Sequence, residues 1–210
     1  MTPSPTSPGS PSPADPAPAP VAPTSPAYFC YHRDRPGSLP LRRALLEEHW
    51  SYMDQYEKEL IARGPTFAAD GTPSGSVHIA SLPDAAAARA FAFEEPGQQA
   101  GVYRDVLLHR WRDLLGRTMW EFPGGLTGED RYLVLGLAPA VGPSAIPDGP
   151  PPALREDLLA YGPLLSDDAT AWLGTVALVR APDAAAAGRV LPVERYAAVE
   201  IHPWECGGRR

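Results

Sequence analysis

Two short sequence patterns occur twice in this chain, about 100 residues apart. Gly-Pro-x4-Asp begins at Gly64 and again at Gly162, and Tyr-x2-Val-x2-His-x-Trp begins at Tyr103 and again at Tyr196. Patterns of fixed spacing seldom recur by chance, and self-similarity at a constant period is the signature of a repeated structural unit. The chain is therefore predicted to contain two copies of one small unit.

The first copy carries signals for four strands and two helices. Strand-type segments occupy residues 28–31, 65–69, 76–82 and 102–111. An apolar stripe with helical period runs from Leu41 to Leu60, and Gly64 and Pro65 are expected to end that helix. An alanine-rich helix is predicted over residues 83–93. The resulting order, β-α-β-β-α-β, is that of a ferredoxin-like unit.

The second copy is shorter between its first strand and its Gly-Pro pair, and this stretch is rich in proline. Only residues 153–161 are expected to be helical there, because proline disrupts a helix interior. The predicted fold class is α+β, with two tandem ferredoxin-like units packed as an internal pseudo-dimer. The sequence leaves open whether the chain also forms a homo-oligomer.

The composition of the N-terminus differs from that of the rest of the chain. Residues 1–26 hold ten prolines and five serines, with no aromatic residue, lysine or arginine. Such a segment buries too little apolar surface to offset its ordering entropy and is predicted to be a disordered tail. The first unit is assigned to residues 27–120, a linker to 121–130 and the degenerate second unit to 131–210.

Charge and residue counts exclude several classes of protein. The net charge of -7 provides no basic field for nucleic acid, and the only lysine, Lys58, follows no glycine-rich loop that could bind phosphate. Cys30 and Cys206 are far apart and are interpreted as thiols in a reducing compartment, so a cytoplasmic location is expected. No apolar run has the length of a membrane span. No membrane partner, metal or cofactor is predicted.

Several segments together resemble the YCII-related family. These are YFCYHRD, the helical EEHW, ARGP and GVYRDVLLHRW, within residues 27–112, with a fainter likeness over 131–205. The resemblance implies the dimeric α/β barrel group, in which two ferredoxin-like sheets pack face to face. Some relatives are small-molecule enzymes, including one that removes chloride from a chlorinated hydroxyquinol. A paired His and Asp proposed as the family's reactive centre would correspond to His49 and Asp70.

The sequence departs from the family at one acidic position. Relatives often have Asp-Pro before the last strand, whereas this chain has Glu95-Pro96. A functional role for that acid would have to accommodate the longer side chain. Glu95 is kept as a candidate binding residue, together with Tyr103 and His109 in the following strand.

The residues themselves leave the function open between two classes. His49 lies on the sheet-facing side of its helix, where it could be a structural histidine or an acid–base group oriented by Asp70. Asp before glycine is also ordinary turn chemistry, and its counterpart Asp168 has no histidine partner. The leading hypothesis is a lyase, isomerase or dehydrohalogenase acting on a small molecule. The alternative is a non-catalytic module that binds a small ligand or a protein.

Deletion of residues 1–26 is expected to leave the thermal midpoint of unfolding unchanged, because this segment contains nothing that can join a packed core. Scanning calorimetry of the full and truncated chains measures the difference. A drop of several degrees in the truncated chain would show that the tail docks on the folded units.

Overall fold

The computed structural model describes residues 25–128, 130–140, 146 and 149–208. The predicted tail therefore lies outside the described residues, except for its last two positions. These two positions are attached to the fold, since the Ser25 carbonyl accepts a hydrogen bond from the Ser81 hydroxyl and the Pro26 carbonyl accepts one from the Leu82 N–H. The tail was therefore predicted to extend two residues too far, and a deletion that keeps these bonds removes residues 1–24.

The fold is α+β, with one antiparallel sheet of eight strands and short helices. The strands are β1 (Ala27–Asp34), β2 (Leu60–Phe67), β3 (Pro73–Ser81), β4 (Tyr103–Trp111), β5 (Arg131–Leu137), β6 (Leu158–Leu165), β7 (Trp172–Arg180) and β8 (Ala198–Pro203). The helices are α1 (Leu39–Ala44), α2 (Leu46–Asp54), α3 (Ala85–Phe93), α4 (Pro96–Gln99) and α5 (Ala184–Gly188). Within the described part of the chain, no helix is long and apolar enough to cross a membrane.

The strand order shows two halves with the same arrangement. The order is β2-β3-β1-β4 followed by β6-β7-β5-β8, so each half places its strands as a ferredoxin-like unit does. Strand β4 joins the halves through β6, and Thr66 of β2 forms a bridge with Trp204 directly after β8. The sheet therefore closes on itself as a barrel with two seams.

The two seams have equivalent hydrogen bonds. At one, the N–H groups of Arg112 and Leu114 donate to Pro163 and Tyr161 at 3.2 and 3.0 Å. At the other, the N–H groups of Glu205 and Gly207 donate to the carbonyls of Pro65 and Arg63 at 3.2 and 2.9 Å. The partner strands β6 and β2 both carry the repeated Gly-Pro pair at this point.

The glycine of each Gly-Pro pair is required by the seam. A methyl group at Gly64 would overlap the carbonyl oxygen of Glu205, and one at Gly162 would overlap that of Arg112. The prediction that Gly64 and Pro65 end a helix was therefore wrong. The first helical segment ends at Asp54, and Gly64 and Pro65 lie inside β2.

The predicted helix over residues 153–161 was also wrong. Only a 3₁₀ turn, Pro152–Leu154, precedes β6, which begins at Leu158. Every residue of β6 is buried, and such a continuous apolar run of moderate length is compatible with a helix or a buried strand. Packing in the barrel decides in favour of the strand.

The described residues form three apolar clusters. The largest lies inside the barrel and combines residues of both units, including Phe29, Trp111, Leu133 and Trp204. Met119, from the segment between the units, is also buried in it. The other two clusters lie on the outer faces, one between the sheet and the helices of each unit. The first unit's outer face holds the candidate site.

A fragment of residues 27–120 is expected to self-associate, because removing the second unit exposes the barrel-facing side of β1 to β4 and unpairs two strand edges. Sedimentation velocity over a range of concentrations measures the association. A soluble, stable monomer of this fragment would contradict the dependence of the first unit on the second.

Candidate active site

A buried carboxylate lies at the centre of the candidate site. Glu95 is the N-cap residue of α4, and none of its surface is exposed. His49 of α2 bonds to it, with 2.8 Å between the histidine Nδ1 and Glu95 Oε1. The other carboxylate oxygen accepts the N–H of Gln98 at 2.8 Å.

Further donors complete the surroundings of Glu95. The backbone N–H of Gly97 and the hydroxyl of Tyr103 also hydrogen-bond to the carboxylate. A side chain at position 97 would come within about 3 Å of both the Tyr103 hydroxyl and Glu95 Oε2, so this position has room only for glycine. The sequence Glu-Pro-Gly thus places an acid at a helix start and keeps space for its partners.

The electrostatics of Glu95 follow from these donors. Burial alone would raise the pKa of Glu95, but the hydrogen bond and charge of His49 and the N–H groups of Gly97 and Gln98 outweigh burial and lower it. The carboxylate is therefore ionised at neutral pH and can only accept hydrogen bonds. It follows that His49 donates its Nδ1–H to Glu95, so that in the neutral form of the ring the lone pair is on Nε2.

Two more histidines adjoin His49. The ring of His78 on β3 lies 5.6 Å from the His49 ring and 5.9 Å from the His32 ring on β1, measured between centroids. Burial lowers the pKa of both His32 and His78, so both rings are neutral. The Nε2–H of His32 donates to the Ala92 carbonyl at 2.8 Å.

His78 is the less satisfied of these two rings. It is 2% exposed, and its Nδ1 has no hydrogen-bond partner among the described residues. A buried polar atom without a partner is uncommon in a folded protein and calls for an explanation. Among the described residues, no group of three or more His, Cys, Asp or Glu side chains is arranged to hold a metal ion.

An open cavity of about 290 Å³ borders this cluster. His49 and His78 line it, and its apolar wall includes Trp50, Met53 and Phe67. The remaining lining residues belong to α1 and α2, to β2 and β3, and to the segment that follows β8. They include three arginines: Arg42, Arg43 and Arg63. The volume is close to the lower end of the range for pockets that hold small organic molecules.

Arg42 fixes one side of the cavity. Its guanidinium donates to Asp34 at 2.9 Å and to the Ser76 hydroxyl at 2.7 Å, which ties α1 to the ends of β1 and β3. Burial raises the pKa of Asp34, although Arg42 opposes that effect. The arginine is thereby held in one orientation beside the cavity.

Asp70 is not the carboxylate bonded to His49. It is exposed in the turn between β2 and β3, where its Oδ1 accepts the Thr72 N–H at 2.9 Å, and this bond lowers its pKa. Asp168 accepts the Thr170 N–H in the same way at 3.1 Å. The repeated aspartate therefore has a turn-forming role in both units, and the predicted His49–Asp70 pairing is replaced by His49–Glu95.

The other predicted site residues separate into two places. Glu95 and Tyr103 lie together beside His49, whereas His109 lines a different depression with Tyr28 and Asp167. His32 was missed by the sequence analysis. Strand alternation could have identified it, because Cys30 and His32 lie on the same face of β1. Cys30 pairs across the sheet with His78.

The geometry defines a class of protein: a single-chain barrel of two ferredoxin-like units, with a histidine–carboxylate pair beside an open cavity in the first. A family model for the YCII-related domain matches residues 27–112. An uncharacterized protein of Haemophilus influenzae is 35% identical over 89 residues, which cover 39% of this chain and 91% of that protein. The chain belongs to the YCII-related family through its first unit.

Two solved structures that are similar to this chain differ in the share of it that they cover. A 5-chloro-2-hydroxyhydroquinone dehydrochlorinase of Burkholderia phenoliruptrix, in complex with 2,5-dihydroxybenzoquinone, has 26% identity and a TM-score of 0.39, and covers 41% of this chain and 93% of its own. A putative monooxygenase of Fusobacterium nucleatum has 8% identity and a TM-score of 0.47, and covers 87% of this chain and 92% of its own.

Replacing Glu95 by Gln is expected to destabilise the protein at pH 7 by about 1–3 kcal/mol, because the charged acceptor of several buried donors is lost. A carboxylate with a lowered pKa stabilises the fold above its unfolded value and loses this contribution as pH falls through the folded pKa. The difference between wild type and variant should therefore shrink below about pH 4.5. Urea unfolding at several pH values measures it.

The matched control is Glu94→Gln, which changes the same side chain at the neighbouring, exposed position. It is expected to leave the free energy of unfolding within about 0.5 kcal/mol of wild type. Equal effects of the two substitutions at pH 7 would show that the Glu95 carboxylate is not the ionised acceptor described above.

Proposed function

We propose that the first unit is a small-molecule enzyme in which His49 transfers a proton and Glu95 orients it. The observation that carries this proposal is the 2.8 Å bond between His49 Nδ1 and a fully buried carboxylate beside an open cavity. Histidine is the side chain best suited to exchange a proton near neutral pH. The role predicted for Asp70 passes to Glu95.

The chemistry follows from the tautomer that Glu95 imposes. His49 Nε2 carries the lone pair and takes a proton from an acidic O–H or C–H group of the bound molecule. The imidazolium that forms keeps its Nδ1–H bond to Glu95, and the negative carboxylate stabilises that charge. The same proton then leaves Nε2 for a leaving group or for another atom of the substrate. Elimination and isomerisation both fit this cycle.

His78 supports the recognition of a polar substrate group. Its ring is neutral, because burial lowers its pKa, and the residue lines the same cavity as His49. The guanidinium groups of Arg42, Arg43 and Arg63 add positive charge to the lining, which favours a substrate that develops negative charge on oxygen. The substrate class that fits is a small enolisable or phenolic molecule.

We also propose that the second unit is a diverged copy that has lost this site. The strand registers are equivalent, so Val134, Gly136 and Ala177 occupy the places of Cys30, His32 and His78. The Tyr196 ring fills the space over Gly136, where any Cβ would clash with it. Only the first unit then performs chemistry, and the second completes the barrel.

His49→Gln is expected to lower kcat at least about a hundredfold, the usual contribution of a general acid–base group, while changing KM little. The first test substrate is 5-chloro-2-hydroxyhydroquinone, with chloride release as the signal, followed by a panel of other phenols and enolisable ketones. His109→Gln is the matched control because His109 lies outside the cavity, and it should retain full turnover.

Two results would contradict the enzyme proposal. Turnover of any of these compounds that is the same in wild type and His49→Gln would remove His49 from the chemistry. Saturable binding without turnover in wild type across the panel, measured by calorimetry, would favour a ligand-binding module instead.

A further inference from the structure

The segment that follows β8 leaves its own unit and lies against the first. The Glu205 N–H donates to the Pro65 carbonyl and the Gly207 N–H to the Arg63 carbonyl, both on β2. Cys206, Gly207 and Gly208 then line the same cavity as His49 and His78. One wall of the candidate site is therefore built by the second unit.

Close backbone packing holds this wall in place. A side chain at Gly64 would overlap the Glu205 carbonyl, and a Cβ at Gly207 would lie 2.7 Å from the Gly64 Cα. The backbones of β2 and of the segment after β8 are so close that only glycine fits at both Gly64 and Gly207. The segment cannot shift without breaking its hydrogen bonds to β2.

The opposite seam has a position that is equivalent to Gly207 but does not adjoin the candidate site. Leu114 donates its N–H to Tyr161 just as Gly207 does to Arg63, so the two residues are structurally equivalent. Leu114 and the following Leu115, however, pack into the apolar cluster of the second unit. On that side the leucines join a core, whereas on the other side Gly207 and Gly208 pack against β2 and the Arg63 guanidinium at the edge of the cavity.

We propose that the segment Cys206–Gly208 is the specificity-determining wall of the first unit's site, and that Cys206, which lies between the cavity and the apolar cluster inside the barrel, limits the size of the ligand. This segment and the two histidines His49 and His78 line one and the same cavity. The inference rests on the proposed function only in placing the ligand next to His49. The ligand expected is a small molecule with an apolar edge against the thiol and a polar group at the histidines.

Chemical modification tests the wall without requiring a known substrate. Diethyl pyrocarbonate modifies exposed imidazoles, and peptide mass mapping of the full chain follows His49 separately from the other histidines. Cys206→Trp should fill the cavity and slow the modification of His49 by about tenfold or more. Cys206→Ser, which preserves the size, should keep the rate within about twofold of wild type.

A matched pair of glycine variants tests the position of the segment. Gly64→Ala should displace the Glu205 backbone and raise the rate at which iodoacetamide alkylates Cys206 by about fivefold or more. Gly162→Ala makes the equivalent clash at the other seam and should leave that rate unchanged. Cys30 does not compete, because it is 1% exposed and burial raises the pKa of its thiol.

Unchanged modification of His49 in Cys206→Trp, or equal alkylation of Cys206 in the two alanine variants, would overturn the proposal. These outcomes are independent of the proposed chemistry. Slow His49 modification in Cys206→Trp, combined with full turnover in His49→Gln, would support the wall while rejecting His49 as the catalytic residue. Normal His49 modification in Cys206→Trp, combined with inactivity of His49→Gln, would reject the wall while supporting His49 as the catalytic residue.

Discussion

Each seam of the barrel requires a strand position without a side chain, because a carbonyl oxygen of the neighbouring unit lies where a Cβ would be. Gly64 and Gly162 meet this requirement in the two units. The hydrogen bonds on either side of them fix the relative position of the halves. The same contact directs the chain after β8 onto the first unit, so the closure of the barrel and the shape of the cavity have one cause.

The two units carry different side chains on the same backbone arrangement. Equivalent strand positions hold His78 in the first unit and Ala177 in the second, and His32 corresponds to Gly136. Apolar residues can pack at these places without any polar partner, whereas buried imidazoles each need one. The first unit therefore carries the less stable arrangement, which is commonly where function resides.

The sequence predicted the family and the α+β class with its strands, because strand patterns and short motifs are local signals. The predictions for Gly64 and Asp70 were wrong because the same short pattern occurs in different structural contexts. Gly-Pro commonly ends a helix, yet here glycine is required by a contact with Glu205, about 140 residues away in the chain. The carboxylate for His49 lies 46 residues from it, and only the folded chain shows that Glu95, not Asp70, is near.

The length of the Glu95 side chain is now explained by its position. As the N-cap of α4 it must accept a backbone N–H from Gln98 with one oxygen while it reaches His49 with the other. Burial of an ionised carboxylate is costly unless most of its lone pairs are satisfied, and the N–H of Gly97 and the hydroxyl of Tyr103 provide further donors. The ionised Glu95 can only accept hydrogen bonds, so it holds the Nδ1–H of His49 in one direction. Under the proposed function, this fixed direction leaves Nε2 as the nitrogen that exchanges the proton.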